Sequence, residues 1–435
     1  MSKIQFLRLF VAILLLILKL NISSAYAGQK HVLSREWTAI IESPVMVALS
    51  EVGEKRWGWY QFPALSELPD GDIICIFSHQ QDAVSGYGKR PKCYVSGDGG
   101  NSWDKAKENY DKMLALPHGT ISKVKNGEFL CVPPVQALDV NSEKDKLPEP
   151  AGKFTFKSHL LYRVAECPSA VRKYIVELDG WRWSSDNKTW AAEKVFYDER
   201  RALAWASIWE NKQKIKIPRT WFEHRLLKLG EELLYADYRQ VFEEPDGYIP
   251  KNDVVSLMVS TDNGHRFSKR GTIALDRTGE VSFSEPCLSA TKDGHLVCAM
   301  RRQKGNWKSM MPMAISFSSN RGRTWEIPKS FDHLGVFPTL VLLDNGVLVL
   351  AYGRPGVHLI FSLDGTGREW TEPITLRQGD NEKWLTKTCG YTSIVTLSDN
   401  EFLIAYSDFE HKDEKGQVYK AILVGRVKLE RPNQY

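Results

Sequence analysis

Apolar positions along this chain fall into pairs of short runs separated by a polar turn, and the pair recurs six times. FPALSELPDGDIICIFS begins at residue 62, HGTISKVKNGEFLCVPP at 118 and FEHRLLKLGEELLYADY at 222. SEPCLSATKDGHLVCAMR begins at 284, FPTLVLLDNGVLVLAYG at 337 and YTSIVTLSDNEFLIAYSD at 391. Each has the form of a β-hairpin, with apolar residues on both sides and turn residues between. The starts lie 56, 104, 62, 53 and 54 residues apart. Four of these spacings describe one repeating unit, and the long one predicts an insertion around 135–180.

A second phrase accompanies the first. SGDGGNSW stands at 96–103, STDNGHRF at 260–267, SSNRGRTW at 318–325 and SLDGTGREW at 362–370, with a degraded copy, SSDNKTW, at 184–190. Two hairpin strands, a third leading into this Ser-x-Asp turn and a fourth leaving it give four antiparallel strands per unit. Six such units predict an all-β, six-bladed β-propeller of four-stranded antiparallel blades, occupying 28–435 as a single domain. The last unit ends in KAILVGRVKL, and the early run ESPVMVAL at 42–49 is expected to supply its outer strand and close the ring.

Within the second phrase Asp or Asn can accept backbone N–H bonds from residues further on, and Gly supplies a position with φ > 0. Ser can make similar local bonds, and the terminal Trp or Phe can bury its ring under the turn. Asp98, Asp262, Asn320 and Asp364 are therefore expected to be structural rather than catalytic.

The N-terminus falls outside the repeat. Lys3 and Arg8 precede the apolar run LFVAILLLILKLNI, and small residues, Ala25 and Ala27, flank Tyr26 before Gly28. This is the pattern of a secretory signal peptide over 1–27, which predicts a secreted or periplasmic protein with no membrane attachment after cleavage. Removing Lys3, Arg8 and Lys19 lowers the formal charge from +5 to +2, and no basic run stands out, so a nucleic-acid partner is not expected. The composition, 43% apolar and 11% aromatic, is enough for a large core. The seven cysteines are scattered without a CxxC pair, and Cys75, Cys131, Cys287 and Cys298 lie inside apolar runs as small hydrophobes. Neither a disulfide framework nor a metal site is indicated, no cofactor is implied, and a monomer is expected.

In a propeller the innermost strands start around a common axis, where loops converge on one mouth. Gln61, His118, Glu223, His224, Glu285 and Tyr391 stand at strand starts, and His79, Asp82, Tyr238, Arg239, Arg301, Arg302 and Arg354 at second-strand ends. A cleft lined by carboxylates, arginines and a tyrosine suits an anionic sugar, which makes a glycan or glycoconjugate the expected substrate. Trp57, Trp59, Trp181 and Trp183 are available to stack on sugar faces.

Several copies of Ser-x-Asp-x-Gly-x-x-Trp resemble the Asp box, the repeat of the sialidase (neuraminidase) superfamily. The likeness spans about 42–428. It implies a Tyr nucleophile assisted by a Glu, an Asp acid/base and three arginines that clamp a substrate carboxylate. By this resemblance Glu285 in FSEP matches the glutamate, and Arg301 in AMRR the second arginine. Arg354 in YGRPG matches the third arginine, Tyr391 in CGYTS the nucleophile and Asp82 in SHQQDAVSGYG the acid/base. Gln61, His79, His118 and Tyr238 are further candidates for binding substrate.

The resemblance breaks in the first unit, where the family has an arginine before Ile-Pro. Here the motif reads YQFP, so Gln61 stands in its place and brings no charge. Arg56 and Arg90 are the nearby cations that could replace it. Three activities stay open: a sialidase-like exo-glycosidase, a carbohydrate-active propeller of other specificity (a uronate lyase or a rhamnosidase type), and a non-catalytic glycan-binding propeller.

Overall fold

The computed structural model describes residues 28–82, 91–106, 120–132, 136–141, 146–157, 159–207, 214–304 and 311–431. The expected signal peptide at 1–27, His118 and Arg90 lie outside the described residues. The chain is nearly all β, and its strands follow the hairpin pattern of the sequence. Trp59–Glu67, Ile73–His79, Lys92–Ser96 and Asp104–Lys105 pair in that order as one antiparallel sheet. Val281–Ala290, Leu296–Lys304, Pro312–Ser318 and Lys329–Leu334 form another, and Val336–Leu342, Leu348–Gly353, Val357–Ser362 and Ile374–Arg377 a third.

Two further quartets lie between the first sheet and these. Thr120–Lys123, Phe129–Val132, Glu177–Ser184 and Thr189–Tyr197 make one, and Leu227–Leu229, Glu232–Asp237, Val255–Ser260 and Arg266–Ala274 the other. A short parallel pairing of Phe196 and Tyr197 with Arg266 and Phe267 joins their outer strands into one eight-stranded sheet. The final sheet combines Ser393–Ser398, Glu401–Lys412 and Val418–Glu430 with strands from the other end of the chain. The expected outer strand at 42–49 is in fact split: Thr38–Ile41 and Val45–Leu49 both pair with Val418–Glu430, and Gln29–Val32 adds beyond them. A register shift between Met46 and Ala48 accompanies this second contact.

Apolar side chains fill the spaces between consecutive sheets. Leu68, Ile74 and Cys93 pack with Ile121 and Phe129, Val255 and Leu257 with Leu296 and Cys298, Val297 and Ile315 with Leu348 and Leu350, and Val349 and Phe361 with Phe402 and Ile404. Leu65, Cys75 and Phe77 of the first sheet pack with Leu403, Ala405 and Val424 of the last. Burying one such leucine or phenylalanine contributes roughly 1.5–3 kcal/mol.

The Ser-x-Asp turns add to this packing. In each the serine hydroxyl accepts a bond from the glycine N–H, at 2.7 Å for Gly100, 2.8 Å for Gly264, 2.8 Å for Gly322 and 2.9 Å for Gly367. The glycine then lies against the neighbouring sheet. A Cβ on Gly100 would stand 2.5 Å from Leu403, on Gly264 2.8 Å from Leu130, and on Gly322 2.0 Å from Leu257. All three have positive φ as well, so glycine is required twice over.

One sheet has no place in the repeat. Ala137–Asn141, Lys214–Pro218, Ala202–Ser207, His159–Arg163 and Gly152–Lys153 pair in that order, and Val241–Phe242 adds to Ala202–Ser207. It draws on residues beyond the expected 135–180, since two of its strands come from 202–218. Trp205 ties it to the repeat by donating from Nε1 to the Arg239 carbonyl at 2.9 Å.

Candidate active site

Three of the strands carry a residue followed by proline: Phe62-Pro63, Glu285-Pro286 and Phe337-Pro338. Proline cannot donate to a sheet ladder, so pairing has to break there. The break takes the same form each time, a bulge at which the register shifts between Gln61 and Ala64, Ser284 and Cys287, and Val336 and Thr339. Phe62, Glu285 and Phe337 adopt φ of 55°, 49° and 46°, a left-handed conformation that costs a non-glycine residue of order 1–3 kcal/mol.

All three side chains converge on Tyr391, which precedes the strand Ser393–Ser398. The Phe337 ring stacks on Tyr391 with centroids 4.3 Å apart and planes 15° apart, and Phe62 meets it edge-on at 4.8 Å. The Tyr391 hydroxyl donates to Glu285 Oε1 at 2.6 Å. Arg301 Nη1 donates to the same oxygen at 2.8 Å, and the backbone N–H of Phe337 donates to Oε2 at 3.0 Å. Burial would raise the Glu285 pKa, but the Arg301 and Arg354 guanidiniums overcome it and hold the carboxyl below its ordinary value. Burial and the Glu285 charge push Tyr391 well above that of a free phenol. The pair is therefore a neutral phenol beside an ionised acceptor.

The two arginines differ. Arg301 is 8% exposed and matched by Glu285, which raises it in spite of burial. Arg354 is 5% exposed, and burial lowers it. Its Nη2 donates to the Cys389 carbonyl at 2.9 Å, while Nε has no hydrogen-bond partner among the described residues. The guanidinium sits among the rings of Trp384, Trp57 and Tyr391 at 5.5, 5.7 and 5.8 Å. Trp57 donates from Nε1 to Asp82 Oδ2 at 2.9 Å and meets Phe62 and Phe409 edge-on.

A cavity of about 280 Å³ opens beside this group, with Tyr391 on its wall and Glu285, Arg301 and Arg354 set back from it. Phe62, Phe337 and Tyr391 line it together with Asp82, Glu223, His224, Arg225 and Arg239. His224 packs against Phe337 with centroids 4.4 Å apart and planes tilted by 32°, and burial lowers its pKa to about 3, so it is neutral near pH 7. Asp82 is exposed at the rim.

Other sequence candidates go elsewhere. Gln61 is fully buried, does not line the cavity, and neither side-chain polar atom has a partner among the described residues. The bulge that turns Phe62 toward Tyr391 leaves Gln61 on the other side of the strand, paired in register with Ser78. His79 packs against Trp59 and Tyr60, outside the cavity wall. Tyr238 is also behind the wall, and its hydroxyl donates to Glu223. Arg302 is taken up by the Pro312 carbonyl and Ser330, and the exposed Arg56 pairs with Glu54. Trp181 and Trp183 pack against the core between the first two quartets.

Sequence reasoning passed over Phe62, Phe337 and Trp384, and it gave Glu223 no role. The repeated x-Pro in these strands was the available signal for the first two, and nothing local marks Trp384.

No family model matches the chain, and no curated protein matches it. Solved structures do. A protein of unknown function from Dyadobacter fermentans DSM 18053 is similar over 91% of this chain and 99% of its own, at 16% identity and a TM-score of 0.57. An α-L-arabinanase of Penicillium chrysogenum, solved with arabinobiose, is similar over 88% of this chain and 98% of its own, at 13% identity and a TM-score of 0.50. A Hadza microbial sialidase is similar over 83% of this chain and 65% of its own, at 14% identity and a TM-score of 0.49. The fold is all-β and propeller-like. At these identities the likeness reaches the fold alone, and the chemistry has to come from the site.

Proposed function

We propose that this chain is an exo-glycosidase of sialidase-like type, built as a ring of six four-stranded blades, that releases a terminal acidic sugar from a glycan. The observation that carries the proposal is the bond of 2.6 Å between the Tyr391 hydroxyl and Glu285, with Arg301 on the same carboxylate. A phenol is a weak nucleophile at neutral pH, and an ionised carboxylate within hydrogen-bond reach is the base it needs. Tyr391 attacks the anomeric carbon as Glu285 takes the phenolic proton, and water later releases the sugar with retained configuration. A nucleophile that is neutral at rest avoids the repulsion a carboxylate would meet from an anionic substrate. Sialidases, with their tyrosine nucleophile, are a known exception to the two-carboxylate rule of glycoside hydrolysis.

Arg354, buried and with an Nε that has no partner among the described residues, is the group to hold the sugar's carboxylate, since Arg301 is already matched by Glu285. A cavity of about 280 Å³ fits one terminal ring better than a bound chain. The expected signal peptide would place the enzyme outside the cytoplasm, on extracellular or periplasmic glycans.

A second reading, a carbohydrate-active propeller of other specificity, is favoured by Gln61. With that side chain turned into the core there is no first arginine, so the clamp on a carboxylate is smaller than the family's. Fluorogenic 4-methylumbelliferyl glycosides of N-acetylneuraminic acid, glucuronic acid, L-rhamnose and L-arabinofuranose separate the readings. Turnover of the sialoside that is lost in Tyr391→Phe supports the first. Turnover of a neutral sugar alone supports the second, and turnover of none of them rules out the first.

A further inference from the structure

The carboxyl that protonates the leaving group remains to be found, and two acids line the cavity, Asp82 and Glu223. Asp82 is exposed at the rim with one oxygen bonded to Trp57. Glu223 sits at the start of the third repeat's hairpin, deeper in the protein, with a side chain 10% exposed. Its two oxygens are treated unequally. Oε1 accepts from Arg239 Nη2 at 2.7 Å, from Arg239 Nε at 3.2 Å and from the Tyr238 hydroxyl at 3.2 Å. Oε2 has no hydrogen-bond partner among the described residues.

A buried polar oxygen left without a partner in an otherwise satisfied group calls for an explanation. With three donors on Oε1, a proton on this carboxyl has only Oε2 to occupy. Arg239 is itself fixed, its guanidinium lying 4.0 Å from the Trp221 ring and 4.2 Å from that of Tyr238. Glu223 is held further by its backbone N–H, which donates to the Tyr235 hydroxyl at 2.8 Å. Glu223 lines the cavity with one oxygen locked and the other, Oε2, buried and unclaimed among the described residues, which leaves Oε2 as the place for a proton.

We propose that Glu223 is the general acid of the reaction, with Oε2 carrying the proton. The inference rests on the hydrolase reading above. As the glycosidic C–O bond breaks, the Oε2 proton goes to the departing oxygen, which leaves as an alcohol. In the same step the Tyr391 oxygen bonds to the anomeric carbon, and its proton passes to Glu285. In the second step the Glu223 carboxylate takes a proton from water, whose oxygen displaces Tyr391, and Glu285 returns the phenolic proton.

The surroundings agree. Burial raises the Glu223 pKa against the pull of Arg239, and the nearby Glu285 charge adds to the rise. Glu285 is held low by its two arginines, so the two acids are pushed apart, Glu223 upward and Glu285 downward. The charged and titratable groups around Glu223 are Arg239, Tyr238, Tyr235, Glu285 and Tyr391, with His224 and Arg225 adjacent in sequence. Activity should rise as Glu285 ionises, below the ordinary carboxylate range, and fall as Glu223 loses its proton, above it.

The test uses the full chain, the four fluorogenic glycosides named above and the corresponding methyl glycosides. Methylumbelliferone leaves with little help, and methanol needs a proton. Glu223→Gln is expected to release methylumbelliferone in a fast first burst, to lose ~10²–10⁴-fold on the methyl glycoside, and to lose the basic limb of its pH profile. Azide, which attacks without a general base, should restore steady turnover. Glu223→Asp, which keeps a proton donor, should keep the basic limb at reduced kcat and guards against a fold defect in the first variant. The same signature in Asp82→Asn, with Glu223→Gln behaving as wild type, overturns the inference. Full turnover in Tyr391→Phe sinks the nucleophile reading instead and leaves the leaving-group test of Glu223 intact. No hydrolysis of any glycoside sinks the hydrolase reading and the acid assignment with it.

Discussion

Asp98 and Glu223 are both acids at strand ends, and their surroundings have little in common. Asp98 Oδ1 accepts from the Ser96 hydroxyl at 2.7 Å and from the backbone N–H groups of Asn101 and Ser102 at 3.0 and 2.9 Å. Its Oδ2 accepts from the Ser102 hydroxyl at 2.6 Å. Partial burial opposes ionisation, but the bonds from Ser102 and Ser96 outweigh it and bring the pKa to about 2. Glu223 has one oxygen saturated and one without a partner among the described residues, and its pKa is raised. Asp98 is satisfied within its own turn, while around Tyr391 side-chain atoms such as Glu223 Oε2 and Arg354 Nε have no partner among the described residues.

The difference separates what repeats from what does not. A turn that satisfies all its own groups can be copied from unit to unit, because its geometry does not depend on the neighbours' chemistry. At the mouth the same strand position holds Phe62, Glu223, Glu285, Phe337 and Tyr391 in different units, and each is meaningful only against the others. Positive φ falls on an aromatic or an acid at three of these positions, whereas in the turns it falls on glycines and on Asn263 and Arg321.

The contrast can be broken most severely at Glu285. In Glu285→Gln the buried Arg301 faces an amide and Tyr391 loses its proton acceptor. Turnover should fall by ~10²–10⁴-fold, and stability by about 3 kcal/mol, because a buried charge is left without its partner. Denaturant unfolding beside kcat checks both, and an unchanged kcat contradicts the role given to Glu285. Gly322→Ala should act on stability alone. Its Cβ would meet Leu257 at 2.0 Å with φ at +79°, and the expected loss is ~1–3 kcal/mol. The kcat per folded molecule should stay at the wild-type value. The smallest effect is expected at Gln61. Removing a buried amide with no partner, as in Gln61→Leu, should leave stability within about 1 kcal/mol of wild type or above it, with KM unaltered. A raised KM would mean that Gln61 reaches the substrate after all.

Much of the fold was legible because it is written repeatedly. Six hairpins and four good turns announce their strands, and each hairpin is local in sequence. The split outer strand was not legible, since Thr38–Ile41 and Val45–Leu49 owe their positions to pairing with the far end of the chain. The strand Lys214–Pro218 was missed for a similar reason: KIKIP is short, and its partner Ala137–Asn141 lies some 75 residues earlier.

The site was legible in part. Glu285 and Tyr391 stand 106 residues apart, and only resemblance to a known family put them side by side before the structure did. The burial of Gln61 was not legible, because a bulge, not the alternation of the strand, decides which residue faces Tyr391. Glu223 was visible at a strand start, but its state depends on Arg239 sixteen residues on and on which of its oxygens that arginine takes.

The central claim is that Tyr391 is the nucleophile, and covalent trapping tests it most directly. An activated glycosyl fluoride of the sugar turned over best, fluorinated beside the anomeric carbon to slow release, would be incubated with the protein and the digest read by mass spectrometry. An adduct on the peptide containing Tyr391, absent in Tyr391→Phe, is the predicted result. An adduct on Glu285 or Glu223 would contradict the account and make this a two-carboxylate hydrolase.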